Sequence, residues 1–193
     1  MQVKTFNDAG LHRAARELNA LVFRDFVPDI MIGIRTGGFV VAEIMAREAA
    51  HKPLLLAISK QRASTKQKSA IKDILRHLPY FITNILRVVE HYILNSKPAK
   101  EPENFTPNAE ELAALQSILR LRGNAKILII DDAVDSGATM KAVRDLVRRE
   151  AGAGATVKTA AVTVTTKTPL IQPDYALYHH VLCRFYWAFD FHG

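Results

Sequence analysis

The sequence predicts an α/β fold, a mainly parallel sheet flanked by helices, with a helical insertion and a small C-terminal hood. Three observations lead there. Short apolar runs such as Ile30–Ile34 and residues 127–130 contain no polar side chain; segments with helical apolar spacing lie between them; and turns built of glycine or other small residues follow them. A strand that is apolar on both sides suits a parallel sheet covered on both faces, and alternating strands and helices suit an α/β domain.

Taken in order, residues 11–23 place Leu11, Ala14, Ala15, Leu18, Leu21 and Val22 at helical spacing. Pro28 interrupts, Ile30–Ile34 reads as a buried strand, and Arg35-Thr36-Gly37-Gly38 leads into a helix over 39–50. Leu54–Ile58 is a second buried strand, followed by a polar loop over 59–69 that holds Lys60, Arg62, Lys66 and Lys68. Residues 70–94 carry a long apolar stripe at helical spacing, which Pro79 must kink or break in two. Arg87, Glu90 and His91 interrupt that stripe, so it is no membrane span. Residues 95–108, with three prolines, read as an exposed connection, and 110–121 as a helix with Leu112, Leu115, Ile118 and Leu119 inward. A strand at 127–130, a loop at 131–139, a helix at 140–150 and strands at 157–165 and 181–189 complete the chain. We expect one domain over 1–193, with the insertion at about 70–121.

A chain of 193 residues can bury a core without disulfides. Its single cysteine, Cys183, excludes an intrachain bridge and a thiolate metal cluster, and fits a reducing compartment. Residues 1–9 carry Lys4 and Asp8 and no apolar run before a small-residue cleavage site, so a cytoplasmic protein is expected. The net charge of +7 and pI of about 9.6 suit a polyanionic partner, whether nucleic acid, membrane surface or a multiply phosphorylated small molecule.

The chemistry concentrates at 127–140. Four apolar residues run into Asp131-Asp132-Ala133-Val134-Asp135-Ser136-Gly137-Ala138-Thr139, which puts adjacent carboxylates at the carboxyl end of a buried strand, where ligands bind in such sheets. The turn that follows has little side-chain bulk, so backbone N–H groups and hydroxyls can converge on a phosphate at a helix N-terminus. Neighbouring carboxylates repel unless a cation or a diol lies between them. A ribose 5-phosphate satisfies both halves. No GxxxxGK[ST] is present, and an EF-hand fails because Ala133 and Ser136 stand where an oxygen ligand and a glycine are needed.

Four hydrophobics, two acids, two hydrophobics, Asp, Ser, Gly, any residue and Thr resembles the fingerprint of the type I phosphoribosyltransferases. The resemblance implies phosphoribosyl pyrophosphate as donor and Mg²⁺ as cofactor. It implies that Asp131 and Asp132 hold the ribose hydroxyls and the metal, that Asp135, Ser136, Gly137, Ala138 and Thr139 cradle the 5-phosphate, and that Asp135 is the acid or base near a purine N7. Arg35, Thr36, Gly37 and Gly38 occupy the place of the family's pyrophosphate turn, with the departure that Thr36 separates Arg35 from the glycines. Lys60 and Arg62 fall in the place of the family's lid over the leaving group. The order of Lys167 before Pro169, then Trp187 and Ala188, is similar to the xanthine-guanine branch, which implies Lys167 on the 6-oxo group, Trp187 stacked on the ring and Ala188 at its edge.

The expected activity is therefore transfer of the 5-phosphoribosyl group to xanthine, guanine or hypoxanthine, by a dimer or tetramer, with no membrane or nucleic-acid partner. The alternatives are transfer to another acceptor, since the insertion lies outside the resemblance, and a non-catalytic sensor of phosphoribosyl pyrophosphate or a nucleotide, which the +7 charge supports and the lack of an evident helix-turn-helix or basic tail disfavours.

Overall fold

The computed structural model describes residues 1–59, 78–95 and 105–192; Lys60 and Arg62, and residues 70–77 and 96–104 of the insertion region, lie outside the described residues. In chain order the elements are β1 (Gln2–Phe6), α1 (Asp8–Val22), β2 (Ile30–Ile34), α2 (Gly37–Glu48), β3 (Leu54–Ile58), α3 (Tyr80–Asn95) and α4 (Ala109–Leu121). The second half adds β4 (Lys126–Val134), α5 (Ala138–Ala151), β5 (Thr156–Val164), β6 (Tyr175–His179) and β7 (Val181–Phe185).

Alternation along the strands builds two cores, one on each face of a parallel sheet ordered β3-β2-β4-β5-β6. Leu128 and Ile130 of β4 face α1 and α2, packing with Leu11, Leu18, Val41 and Met45. Ile127 and Ile129 face the other way, with Leu115 and Leu119 of α4 and Val143 and Val147 of α5. All are buried, each contributing about 1.5–3 kcal/mol relative to exposure, so the sheet order is held by its own side-chain alternation.

The fold agrees with the expected α/β class, and the differences lie at edges. Strand β4 runs on through Val134, because Asp131, Ala133 and Val134 keep pairing with Ala161, Thr163 and Val164 of β5. The turn at 131–139 thus shrinks to Asp135, Ser136 and Gly137. Two strands were not expected: β6, with its Tyr and His, and β1, whose Lys4 interrupts the apolar pattern. Strand β1 exists by pairing in parallel with β7, at the far end of the chain. The final strand stops at Phe185, short of the expected 189. Helix α3 begins one residue after Pro79, as a break there requires.

The β1–β7 pair and α3 form the hood, knit by a buried charge network. Arg184, 1% exposed, donates from Nε to Asp190 Oδ2 at 2.8 Å, from Nη1 to Thr5 at 3.1 Å, and from Nη2 to Thr83 and Asn84 at 2.7 and 2.8 Å. Arg87 of α3 grips the same carboxylate from the other side. Burial alone would raise the Asp190 carboxyl, but the hydrogen bonds from Arg87 and Arg184 outweigh it and hold the pKa down at about 2. Because the folded value is depressed, this stabilisation is present above the ordinary value of 3.8 and is lost as pH falls toward about 2. We expect about 2 kcal/mol of acid-labile stability from this group. Chemical denaturation between pH 5 and 2 checks it: Asp190→Asn should be less stable at neutral pH, by about 3–5 kcal/mol for an uncompensated buried arginine, and should show a shallower decline on acidification.

Candidate functional site

The strand tip of β4 holds the acidic pair between two helix N-termini. Helix α2 comes in closely because its first turn is Gly37-Gly38: a Cβ on Gly37 would stand 2.1 Å from Asp132 Oδ2, and one on Gly38 2.6 Å from the Ile130 carbonyl oxygen. Helix α5 starts after Gly137, whose φ of 77° is the left-handed conformation that glycine adopts without cost. Thr36, the residue capping α2, makes no side-chain cap hydrogen bond, whereas at the start of α5 the Ser136 hydroxyl accepts from the Ala138 N–H at 3.3 Å.

Two cavities flank the tip. The smaller, about 150 Å³, is lined by Asp131 and by every residue from Ala133 to Met140. The turn is braced from behind, with Leu170 N–H donating to the Ser136 carbonyl at 2.8 Å. The larger cavity, about 570 Å³, is lined by Asp132, Asp135, Ser136, Thr165, Trp187 and Ala188, and by Arg87, Glu90 and His91 from α3. Asp131 lines the smaller cavity and Asp132 the larger, while Ala133, Asp135 and Ser136 border both.

Burial raises the Asp131 carboxyl well above the ordinary carboxylate range, with further push from the Asp132 charge; burial also raises Asp132. A ligand bearing positive charge or hydroxyl donors would satisfy both acids. Asp135 is exposed, and its Oδ1 accepts the Thr165 hydroxyl at 2.6 Å. Cys183 borders the larger cavity, but burial pushes its thiol up to about 12, so it is no nucleophile.

Arg35 is half-exposed; its Nε lies 3.2 Å from Glu111 Oε1 and its guanidinium lies over the Phe39 ring at 5.2 Å. Its peptide bond to Thr36 is cis. Trp187 borders the larger cavity and stacks on Phe185, centroids 4.8 Å apart. Ala188 N–H donates to the Phe185 carbonyl at 2.8 Å, so that donor is engaged in the turn. Lys167 is exposed and lies outside both cavities.

Sequence reasoning missed Glu111, whose Oε2 accepts both the N–H and the hydroxyl of Ser59 at 2.6 and 2.8 Å while Oε1 pairs Arg35. It also missed Thr165 and the α3 residues at the cavity. Local pattern carries no signal for contacts across 30 to 100 positions. The interruption of the α3 stripe by Arg87, Glu90 and His91 was the available hint.

A family model for the phosphoribosyl transferase domain matches residues 3–191. The chain belongs to the phosphoribosyltransferase family. Solved structures agree on the fold: a purine phosphoribosyltransferase from Pyrococcus horikoshii superposes with TM-score 0.59 at 17% identity, covering 97% of this chain and 95% of that one. A hypothetical protein from Neisseria gonorrhoeae, solved with ppGpp, gives 0.61 at 16% identity, covering 96% and 89%. The xanthine-guanine-hypoxanthine phosphoribosyltransferase of Helicobacter pylori gives 0.57 at 14%, covering 96% and 93%. No protein of curated function matches the sequence closely enough to count as a relative. Among the described residues of this phosphoribosyltransferase, no helix is long and apolar enough to cross a membrane.

Proposed function

We propose that this phosphoribosyltransferase moves the 5-phosphoribosyl group from phosphoribosyl pyrophosphate to a 6-oxopurine, with Mg²⁺, in the cytoplasm. The observation that carries the proposal is the pair of cavities sharing Asp135 and Ser136: one is a phosphate-sized cradle at a helix N-terminus, the other a larger chamber bordered by an indole. In this reading Ser136, Gly137, Ala138 and Thr139 take the 5-phosphate in the turn that Asp135 opens, and Asp131 and Asp132 take the ribose hydroxyls. Gly37, Gly38, Thr36 and Arg35 receive the pyrophosphate, a role the resemblance extends to Lys60 and Arg62, and Trp187 covers the base. Lys167 would reach the 6-oxo group only by movement of its turn.

The donor set fits a hard cation. Asp131 and Asp132 supply carboxylate oxygens whose mutual repulsion a cation relieves. Among the described residues no three His, Cys, Asp or Glu side chains cluster as metal ligands, so the ion would complete its shell from donor oxygens and water. When bound it would offset charge on the departing pyrophosphate.

In the transfer, the bond from C1 of the ribose to a pyrophosphate oxygen breaks and a bond from C1 to a purine ring nitrogen forms. The proton released by the ring passes to the Asp135 carboxylate, which Thr165 orients. Backbone N–H groups at the N-terminus of α2 favour the charge that grows on pyrophosphate, and so favour the transition state over the ground state.

A panel of nucleobases with labelled donor and Mg²⁺ tests this. Pyrophosphate release with hypoxanthine, guanine or xanthine, and at least about a hundredfold less with adenine or uracil, is expected. Release with a pyrimidine alone would reassign the acceptor. The ppGpp in the N. gonorrhoeae structure favours a second reading, a non-catalytic nucleotide sensor. Tight nucleotide binding without turnover on any base would select it. On α3 the exposed Phe81, Ile85, Val89 and Tyr92 support the expected self-association.

A further inference from the structure

Helix α3 brings two charged side chains, Arg87 and Glu90, to the wall of the cavity that Asp135 and Trp187 also border. Three residues apart, they share one side of the helix. Arg87 is no loose surface cation. It is 27% exposed, and it donates from Nε to Asp190 Oδ2 at 2.8 Å, from Nη2 to Asp190 Oδ1, and from Nη1 to the Cys183 carbonyl at 3.5 Å. Pairing with both oxygens of one carboxylate fixes the guanidinium plane, and of five N–H donors two remain for a ligand. Asp190 is itself held by the buried Arg184, so the hood core sets where Arg87 stands.

We propose that Arg87 and Glu90 read the edge of the acceptor ring, Arg87 donating to a ring carbonyl oxygen and Glu90 accepting from the ring N–H beside it. A donor followed by an acceptor complements a 6-oxopurine, whose O6 accepts and whose N1–H donates. A 6-aminopurine presents the reverse: its amino group would meet a donor and its bare ring nitrogen a carboxylate. Polar groups left unpaired in a closed site are what make such pockets discriminate. Lys167 lies outside the cavity, so among the described residues lining it Arg87 is the permanently charged donor. The inference rests on the proposed occupant of the cavity and does not need catalysis.

Calorimetric titration of the whole chain with inosine and adenosine 5′-monophosphates tests it. The wild type should bind the inosine nucleotide at least about tenfold more tightly. Arg87→Gln should bring the two affinities within about twofold of each other, by weakening inosine binding while adenosine binding stays within about twofold; Arg87→Lys should recover part of the preference. Glu90→Gln should also erode it. Equal affinity of the wild type for the two nucleotides, or a parallel loss of both in Arg87→Gln, overturns the proposal, the latter marking Arg87 as structural only. A wild type that prefers the inosine nucleotide yet releases no pyrophosphate from donor and hypoxanthine supports this inference and refutes the transferase reading. Turnover with an unchanged preference in Arg87→Gln does the opposite.

Discussion

Replacing Asp135 by Asn is expected to lower kcat by about 10²–10⁴-fold while changing the dissociation constant for phosphoribosyl pyrophosphate by less than about threefold. Asparagine keeps the shape and keeps an oxygen to accept the Thr165 hydroxyl, so the Asp135–Gly137 turn and its cradle should persist. What disappears is a carboxylate able to take a proton, the function that the proposed transfer assigns to it as the purine bonds to C1. An interaction made only in the transition state shows in kcat and not in ground-state binding. Pre-steady-state turnover together with donor titration separates the two quantities. Equal losses in both would mean that Asp135 holds the donor and moves no proton. Thr165→Val, which removes the orienting hydroxyl, should follow in the same direction with a loss of about tenfold, since it acts through Asp135.

The second large effect is expected from the glycines of α2, and the two should differ in kind. A Cβ on Gly38 meets the Ile130 carbonyl oxygen at 2.6 Å and Asp131 Cα at 2.7 Å. Both belong to the backbone of the central strand, which cannot yield without breaking its pairing on both sides. Gly38→Ala should therefore cost about 1–3 kcal/mol by overpacking and lower Tm by about 3–10 °C, with donor binding lost as α2 is driven off the acidic pair. A Cβ on Gly37 meets the Asp132 carboxylate at 2.1 Å, the movable end of a side chain. Gly37→Ala should keep stability within about 1 kcal/mol, because the carboxylate can turn aside, yet weaken donor binding by at least about tenfold. Thermal unfolding beside calorimetry reads both. Equal destabilisation of the two variants would show that Asp132 has no room to move.

Much of the site could be read before the structure because it is local. The 131–139 segment carries its candidate ligand groups within one strand end and one helix start, and the acids, small residues and glycine declare themselves in sequence order. The glycines at 37 and 38 were legible as a turn, though not as the point where α2 touches Asp131 and Asp132. Asp131 illustrates the limit: its residue type was plain, but its burial against Gly38 and its raised carboxyl pKa arise from a helix about 90 positions away. In sequence the insertion shows a long apolar stripe with a break at Pro79. That its charged interruption forms the cavity wall depends on Asp190, at the other end of the chain.

Periodicity and residue type were enough for the parallel sheet, its two apolar faces, and the acidic strand tip with its phosphate-sized turn, because each follows from interactions within a few neighbouring residues. Packing over long range decided the hood, the pairing of β1 with β7, the direction Arg35 takes toward Glu111, and the presence of Arg87 in place of Lys167 beside the larger cavity. These rest on single charged or weakly apolar side chains. Such a side chain gains its energy from a partner that chain order does not reveal, and only the folded arrangement supplies it.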